Sequence, residues 1–199
     1  PSHFVPTALA PVGTVFDKAR VGLLRLKTQR TSARALLQNT DIPTATALAE
    51  QGFSQKMIDR FFKPLVGGIQ LDPQLGTSRR MFDVIFRSLS VGETGVPAMG
   101  MGAISDQIAA HLSPGTVRLN TRVASVTSHS VTTVTGETLE ARTVVVATEG
   151  PAAAQLTGIP NVASRRVSCF WFDAPAAPTS HKLIALDGYS GGPVLNLAV

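Results

Sequence analysis

The chain has 199 residues, 44% of them apolar, and a formal charge of +5 from 18 Lys and Arg against 13 Asp and Glu. That length and composition exclude a disordered chain and allow one or two domains with a real core. The cations are scattered rather than gathered into one contiguous face, and one Tyr and one Trp leave little for base stacking, which argues against nucleic-acid binding.

The single Cys169 rules out an intrachain disulfide framework and a cysteine-based zinc site, in keeping with a reducing compartment. No apolar run has the length of a membrane span. The opening "PSHFVP" and the closing "VLNLAV" read as cut ends, with no targeting segment visible.

In chain order, "GTVFDKARVGLLRLKTQRTSARALLQ" places Val15, Ala19, Leu23, Leu26 and Leu37 near one helical face and predicts one or two helices. "TDIPTATALAEQG" has a Thr/Pro start and a Gly stop, the signature of a short capped helix. "FSQKMIDRFFKPLVGG" starts at a Ser54 cap, stacks Met57, Ile58, Phe61, Phe62 and Leu65 on one broad face, and is expected to end at Pro64 and the Gly67-Gly68 pair. "TSRRMFDVIFRSLS" carries Met81, Val84, Ile85 and Leu89 at core spacing, with Phe82 and Phe86 widening the stripe. The first ninety or so residues are therefore mostly helical.

Beyond "GVPAMGMGAISDQIAAHL" the period changes from helical to alternating. "TVRLNTRVASVTSHSVTTVTGETLEARTVVVAT" reads as several short strands, with Gly136 in a turn and Val144 to Val146 as a run buried on both faces. "GPAAAQLTG" is a short helix, and "SRRVSCFWFDAP" and "HKLIALDG" are expected strands.

Several motifs compete for a chemical role. "GMGAIS", Gly100 to Ser105, lacks the third glycine and the preceding strand of a dinucleotide loop, so it reads first as a tight turn into a helix. "GYSGG", Gly188 to Gly192, matches a nucleophile elbow around Ser190, yet His3, His111, His129 and His181 all precede it, whereas that fold places its His later. The four His have no metal-ligand spacing. Asp72 and Asp83 read as solvated, and the doublets Arg79-Arg80 and Arg165-Arg166 as surface groups or partners of local carbonyls.

The ordered segments resemble the flavin-dependent amine oxidase, phytoene desaturase and protoporphyrinogen oxidase superfamily. "RFFKPLVGGIQLDPQLGTSRRMF" is similar to its aromatic-Arg/Lys-Pro-x-x-Gly-Gly stretch followed by Thr-Ser-x-x-Met-Phe. "VPAMGMGAISDQIAAHL" is similar to its Pro-x-Gly-Gly-Met signature, with Met99 in place of the first Gly. "VRLNTRVASV" and "LEARTVVVAT" resemble the two strands that return the chain to the flavin domain, and "SRRVSCFWFDAP" and "GGPVLNLAV" resemble substrate-domain strands.

The resemblance implies an α+β portion of an FAD-linked α/β two-domain oxidoreductase. Residues 1–95 would be a mostly helical substrate-domain part, 96–150 a return segment of the FAD-binding domain, and 151–199 substrate-domain strands. It implies FAD contacts at Gly100, Met101 and Gly102 beside the ring, at Val123 beside the adenine, and at Ala147 and Thr148 at a strand end. Lys63, Gly67 and Gly68 would line or support a substrate cavity. No catalytic residue is assigned. The sequence holds neither the Gly-x-Gly-x-x-Gly fingerprint nor the family's Gly-Asp flavin segment, and no Lys lies between Ser164 and Asp173, the last of which shifts the weight from amine oxidation toward a desaturase-like or uncharacterised oxidoreductase.

The implied reaction is oxidation of an apolar or amine-bearing small molecule with hydride transfer to the flavin. The implied partners are that substrate, a polypeptide completing the flavin domain, and a peripheral membrane contact; the implied location is the cytoplasm or a plastid. Two other readings stand beside it: a non-catalytic remnant or binding module that no longer holds FAD by itself, and a serine hydrolase built on Ser190.

Overall fold

A computed structural model describes residues 10–161, 163–179, 184–189, 192, 194 and 196–198. Two compact units emerge, one from Pro1–Thr94 with Arg166–Val199, the other from Gly95–Arg165.

In the first unit, helix α1 (Val15–Arg30) opens with a capping box: Thr14 Oγ1 accepts from the Asp17 amide at 3.1 Å while the Asp17 carboxylate accepts from the Thr14 amide at 2.7 Å. Its buried face is Asp17, Leu24 and Thr28, with Val21 packed beside them. The face expected from apolar spacing points the other way, since Val15, Leu23 and Leu26 are 77, 65 and 47% exposed. The reason is polar satisfaction. Asp17 and Thr28 (whose hydroxyl donates to the Leu24 and Arg25 carbonyls) find internal partners, so a face that hydrophobicity alone would send outward can be buried.

Helix α2 (Ala33–Leu36) is capped by Ser32 and buries Leu36, leaving Leu37 half exposed. Helix α3 (Thr44–Glu50) has no side-chain cap at its Pro43 start. Tertiary bonds replace it: the Thr44 amide and hydroxyl both donate to the Thr77 carbonyl at 2.8 Å, and the Ala45 amide to Leu75 at 2.9 Å.

Helix α4 (Gln55–Met57) starts at the expected Ser54 cap and runs straight into a π-helix (Ile58–Gly67) that carries Pro64 inside it. The expected stop at Pro64 does not occur. In an α-helix the proline ring would collide with the carbonyl four residues back, that of Arg60, whereas the wider π turn moves that carbonyl off the ring's path.

Helix α5 (Arg79–Val91), capped by Ser78, receives α1, α2 and α3. It buries Phe82, Asp83 and Phe86, while Met81 and Leu89 are exposed and Val84 and Ile85 are half-buried, so its core face is rotated from the expected one. Again a satisfied carboxylate sets the phase: Asp83 accepts from Asn39 Nδ2 at 3.1 Å and Arg79 Nε at 3.3 Å. Asp72 is likewise buried rather than solvated, accepting from the Thr77 and Gln74 amides. Phe53, Phe62 and Phe82 meet edge-on at 4.9 and 5.9 Å, with Phe86 tilted against Phe82 at 5.6 Å. Strands β4 (Ile184–Leu186) and β5 (Asn196–Ala198) pair antiparallel, and β4 packs on the π-helix.

In the second unit, helix α6 (Gly102–Ala109) precedes an antiparallel sheet ordered β1 (Val123–Val126), β2 (Ser130–Thr133), β3 (Thr138–Glu140), with a bulge in β1 between Val123 and Ser125. Helix α7 (Gly150–Thr157) packs on β1. Thr133 is the only buried side chain among its described residues. The Val144–Val146 run is not buried on both faces, for Val145 is 81% exposed and no described strand pairs with it. Nor do residues 164–174 form the expected strand: Phe170, Trp171 and Phe172 are 76, 91 and 84% exposed. An extended run needs a neighbour for its N–H and C=O groups, and no described strand supplies one.

Candidate functional site

The residues singled out by sequence fall in two places. Gly100, Met101, Gly102, Val123, Ala147 and Thr148 lie in the second unit, and Lys63, Gly67 and Gly68 on or just after the π-helix of the first.

Gly100 closes a turn, its amide donating to the Pro97 carbonyl at 2.9 Å, with φ at +83°, where a side chain would be strained. Met101, exposed, stands at the start of α6, which begins at Gly102. A Cβ added at Gly100 or Gly102 would meet nothing within 4 Å. The backbone there is open, so whatever these glycines admit is not another part of this chain's described residues. Val123 is half-buried on β1, an edge strand of its sheet, opposite Thr133. Edge strands leave alternate backbone groups without a strand partner. Ala147 and Thr148 are exposed just ahead of α7, with the Thr148 hydroxyl on the Glu149 carbonyl at 3.4 Å.

On the π-helix, Lys63 is held by Asp59 at 2.6 Å across one turn, and the lysine's hydrogen bond keeps the Asp59 carboxyl below its ordinary range. Gly67 is buried where a Cβ would stand 3.1 Å from the Asp72 carbonyl oxygen. At Gly68 a Cβ would stand 2.6 Å from Asn196 Nδ2. Asn196 in turn lines a cleft of about 300 Å³ with Ala185, Leu186, Asp187, Gly192, Val194 and Leu197. Gly68 thus backs a wall of that cleft through one side chain. Sequence reasoning has no signal for Asn196, because β5 and the π-helix are over a hundred residues apart.

The Gly188–Tyr189 turn meets the π-helix too. A Cβ at Gly188 would lie 2.9 Å from the Arg60 carbonyl oxygen, and the Arg60 guanidinium sits 4.9 Å from the centre of the Tyr189 ring. Ser190, the hydrolase candidate, and the imidazoles of His3 and His181 lie outside the described residues. His111 and His129 are exposed, each with Nδ1 on a backbone carbonyl, and no group of three metal-ligating side chains occurs among the described residues. Arg80 donates to the Asn39 carbonyl, as expected of a doublet serving local carbonyls.

The most connected polar centre is invisible in the motifs. Asp17 accepts from Thr14 N, Thr14 Oγ1 and Ser54 Oγ at 2.7 Å each and from Ser54 N at 2.8 Å. Burial alone would raise its carboxyl, but the bonds from Ser54 and Thr14 outweigh it and hold the group well below the usual carboxylate range. With three donors on Oδ2 and one on Oδ1, all from the caps of two helices, it is a structural clasp.

A family described as flavin containing amine oxidoreductase matches residues 2–180, nearly the whole chain. The chain belongs to that family. No curated protein and no solved structure matches it.

A flavin fits part of what the second unit offers. The open backbone at Gly100 and Gly102, the outer edge of β1 and the small exposed side chains of Ala147 and Thr148 leave room for a planar, backbone-contacting group. Pyrophosphate binding calls for a glycine cradle at a helix N-terminus, and the sequence contains no such fingerprint. The residues present therefore leave room for a planar group and offer no cradle for a pyrophosphate.

Proposed function

We propose that this chain contributes the substrate-side helices and one face of the cofactor site of an FAD-dependent oxidoreductase acting on an apolar or amine-bearing small molecule. The observation that carries this is the family match over residues 2–180, which spans both units. When bound, the flavin supplies the acceptance of two electrons from the substrate. This chain's residues would do the rest. Gly100, Met101 and Gly102 present backbone to the ring without a side chain in the way, Val123 offers its strand edge to the adenine, and Ala147 and Thr148 border the same surface. The helical layer, with Lys63 fixed by Asp59 and Gly67 and Gly68 allowing close packing, shapes the substrate side. In this reading 1–95 and 151–199 serve the substrate and 96–150 the cofactor, and a further polypeptide segment carries the pyrophosphate loop.

The test is optical. Titration of FAD into the purified protein should give saturable quenching of flavin fluorescence and a protein-bound flavin spectrum, and Gly100→Val should weaken it by roughly tenfold, because the added side chain fills the open face and strains a positive φ. A folded chain that stays colourless and leaves FAD fluorescence unchanged would refute cofactor binding by this chain and leave the binding-module reading in its place.

A further inference from the structure

The run from Arg166 to Ala174 has the composition of a strand and is paired with nothing. It contains no turn, bend or proline, and among the described residues none of its backbone N–H or C=O groups takes a hydrogen bond. Val167, Phe170, Trp171 and Phe172 are β-branched or aromatic, the types that favour a strand, and they stand 70, 76, 91 and 84% exposed. At a period of two, Val167, Cys169 and Trp171 would share one face and Ser168, Phe170 and Phe172 the other. No charge falls inside the run, while Arg166 closes one end and Asp173 the other, both exposed.

We propose that this run is a self-association surface, on which the same run of a second copy of the chain pairs antiparallel about a two-fold axis through Cys169. Charge selects both the occupant and the direction. Antiparallel pairing brings the Arg166 end of each copy beside Asp173 of the other, whereas in-register parallel pairing would set Arg166 on Arg166 and Asp173 on Asp173. A two-fold axis perpendicular to the ribbon places each residue opposite one on the same face, so the centre must fall on a residue. Centring on Cys169 sets the two thiols opposite each other, Val167 opposite Trp171, Ser168 opposite Phe170 and the Arg166 guanidinium beside the Phe172 ring. One place further on would set Val167 against Asp173, and one place back would leave Asp173 opposite Ala163. The contact is a narrow ribbon, so association is weak and shows at high protein concentration. It uses none of the residues named for the cofactor or the cavity, so it stands or falls separately from the flavin reading.

Sedimentation equilibrium of the whole chain under reducing conditions tests it and should give a reversible monomer–dimer equilibrium. Phe170→Pro with Trp171→Pro removes one inward-facing N–H whichever way the ladder is phased, and should abolish the dimer. Arg166→Glu and Asp173→Arg should each weaken it by about tenfold, and an equimolar mixture of the two should restore it, because every altered end then meets the opposite sign. These side chains are exposed, so thermal melts should not move. A second readout needs no variant: copper–phenanthroline in air should join Cys169 to Cys169 of the second copy in a disulfide, the two protons and two electrons of the thiols going to oxygen. Val167→Cys in a Cys169→Ser background should not crosslink to itself. A monomer at every concentration, a dimer that survives the paired prolines, failure of the mixture to restore association, crosslinking through Val167→Cys but not through Cys169, or growth beyond the dimer would each overturn the proposal.

Discussion

The helical unit and the unit from Gly95 to Arg165 solve the problem of burial differently. In the first, Phe53, Phe62, Phe82 and Phe86 with Leu24, Leu48, Met57, Ile58, Val66 and Leu75 close a continuous core, and the carboxylates that share it are all hydrogen-bonded. In the second, α6 leaves Ile104 and Ile108 exposed, Val145 stands in the open, and Thr133 alone is buried among the described residues. Apolar burial contributes roughly 25 cal/mol per Å², so the first unit holds its own driving force and the second holds little. The candidate cofactor residues thus sit where the chain is least self-sufficient, on surfaces fit to be covered by something else.

Phe62→Ala puts this contrast under the greatest load. Removing a fully buried ring should cost about 3–5 kcal/mol in urea or thermal unfolding. Hydrogen exchange should show the amides of α5 losing protection while those of the β1–β2–β3 sheet keep theirs. A parallel loss in both would make the two units one cooperative body.

Next in size is Asp17→Asn, which removes the charge that four donors converge on and should cost about 2–3 kcal/mol at neutral pH. The native carboxyl is depressed, so its stabilisation is whole above the unfolded value of about 3.9 and declines as pH falls below it toward the folded value. Melting temperature against pH should therefore drop more steeply in acid for the natural protein than for the variant. Coincident slopes would dismiss Asp17 as the clasp.

The two glycines after Pro64 make a finer test. A Cβ at Gly68 would meet only the end of the Asn196 side chain, which can swing away, whereas at Gly67 it would press on the Asp72 backbone. Although the Gly68 contact is the shorter, Gly67→Ala should be the more damaging, by about 1–2 kcal/mol relative to Gly68→Ala, with the helix preference for Ala common to both. The smallest effect belongs to the second unit. Arg118 and Glu137 pair at 2.7 Å in open solvent, and Arg118→Ala should leave the melt unchanged within error at physiological salt.

Much of the helical layer is legible in the sequence. Ser54 announces α4, the stretch from Gly13 to Leu37 holds two helices where its pattern allows one or two, and the change from helical to alternating period beyond residue 115 foretells the sheet. The departures share one physical origin. For α1 and α5 the apolar stripe predicts the wrong buried face, because Asp17, Thr28 and Asp83 go inside once hydrogen-bond partners, Ser54 and Asn39 among them, satisfy them. Hydrophobic periodicity cannot register a hydrogen bond to a residue 37 or 44 positions away. The strands expected at Val144–Val146 and over 164–174 fail for a complementary reason: strand character in sequence states a need for a paired strand, and among the described residues the first run has one backbone bond, Val144 N–H to the Ser128 carbonyl, while neither run joins a sheet. At the candidate site the glycine signals and the family motifs are readable, while Asn196 behind Gly68 and Gly188 against Arg60 are not, since each depends on chain segments brought together only by folding.

Proline ordinarily stops a helix. In this chain Pro64 acts as a phase setter. The wider π turn around it rotates less per residue than an α-helix, so later side chains lag behind their α-helical positions, and the helix as it stands sets Gly67 against the Asp72 backbone, Gly68 against Asn196 and the Arg60 carbonyl against Gly188. Pro64→Ala would gain helix propensity, yet relaxation to an α-helix would turn both glycines out of register with the segments they face. The close approaches at Asn196 and Gly188 are therefore tied to the π turn that carries Pro64: a helix that lost the turn would lose both.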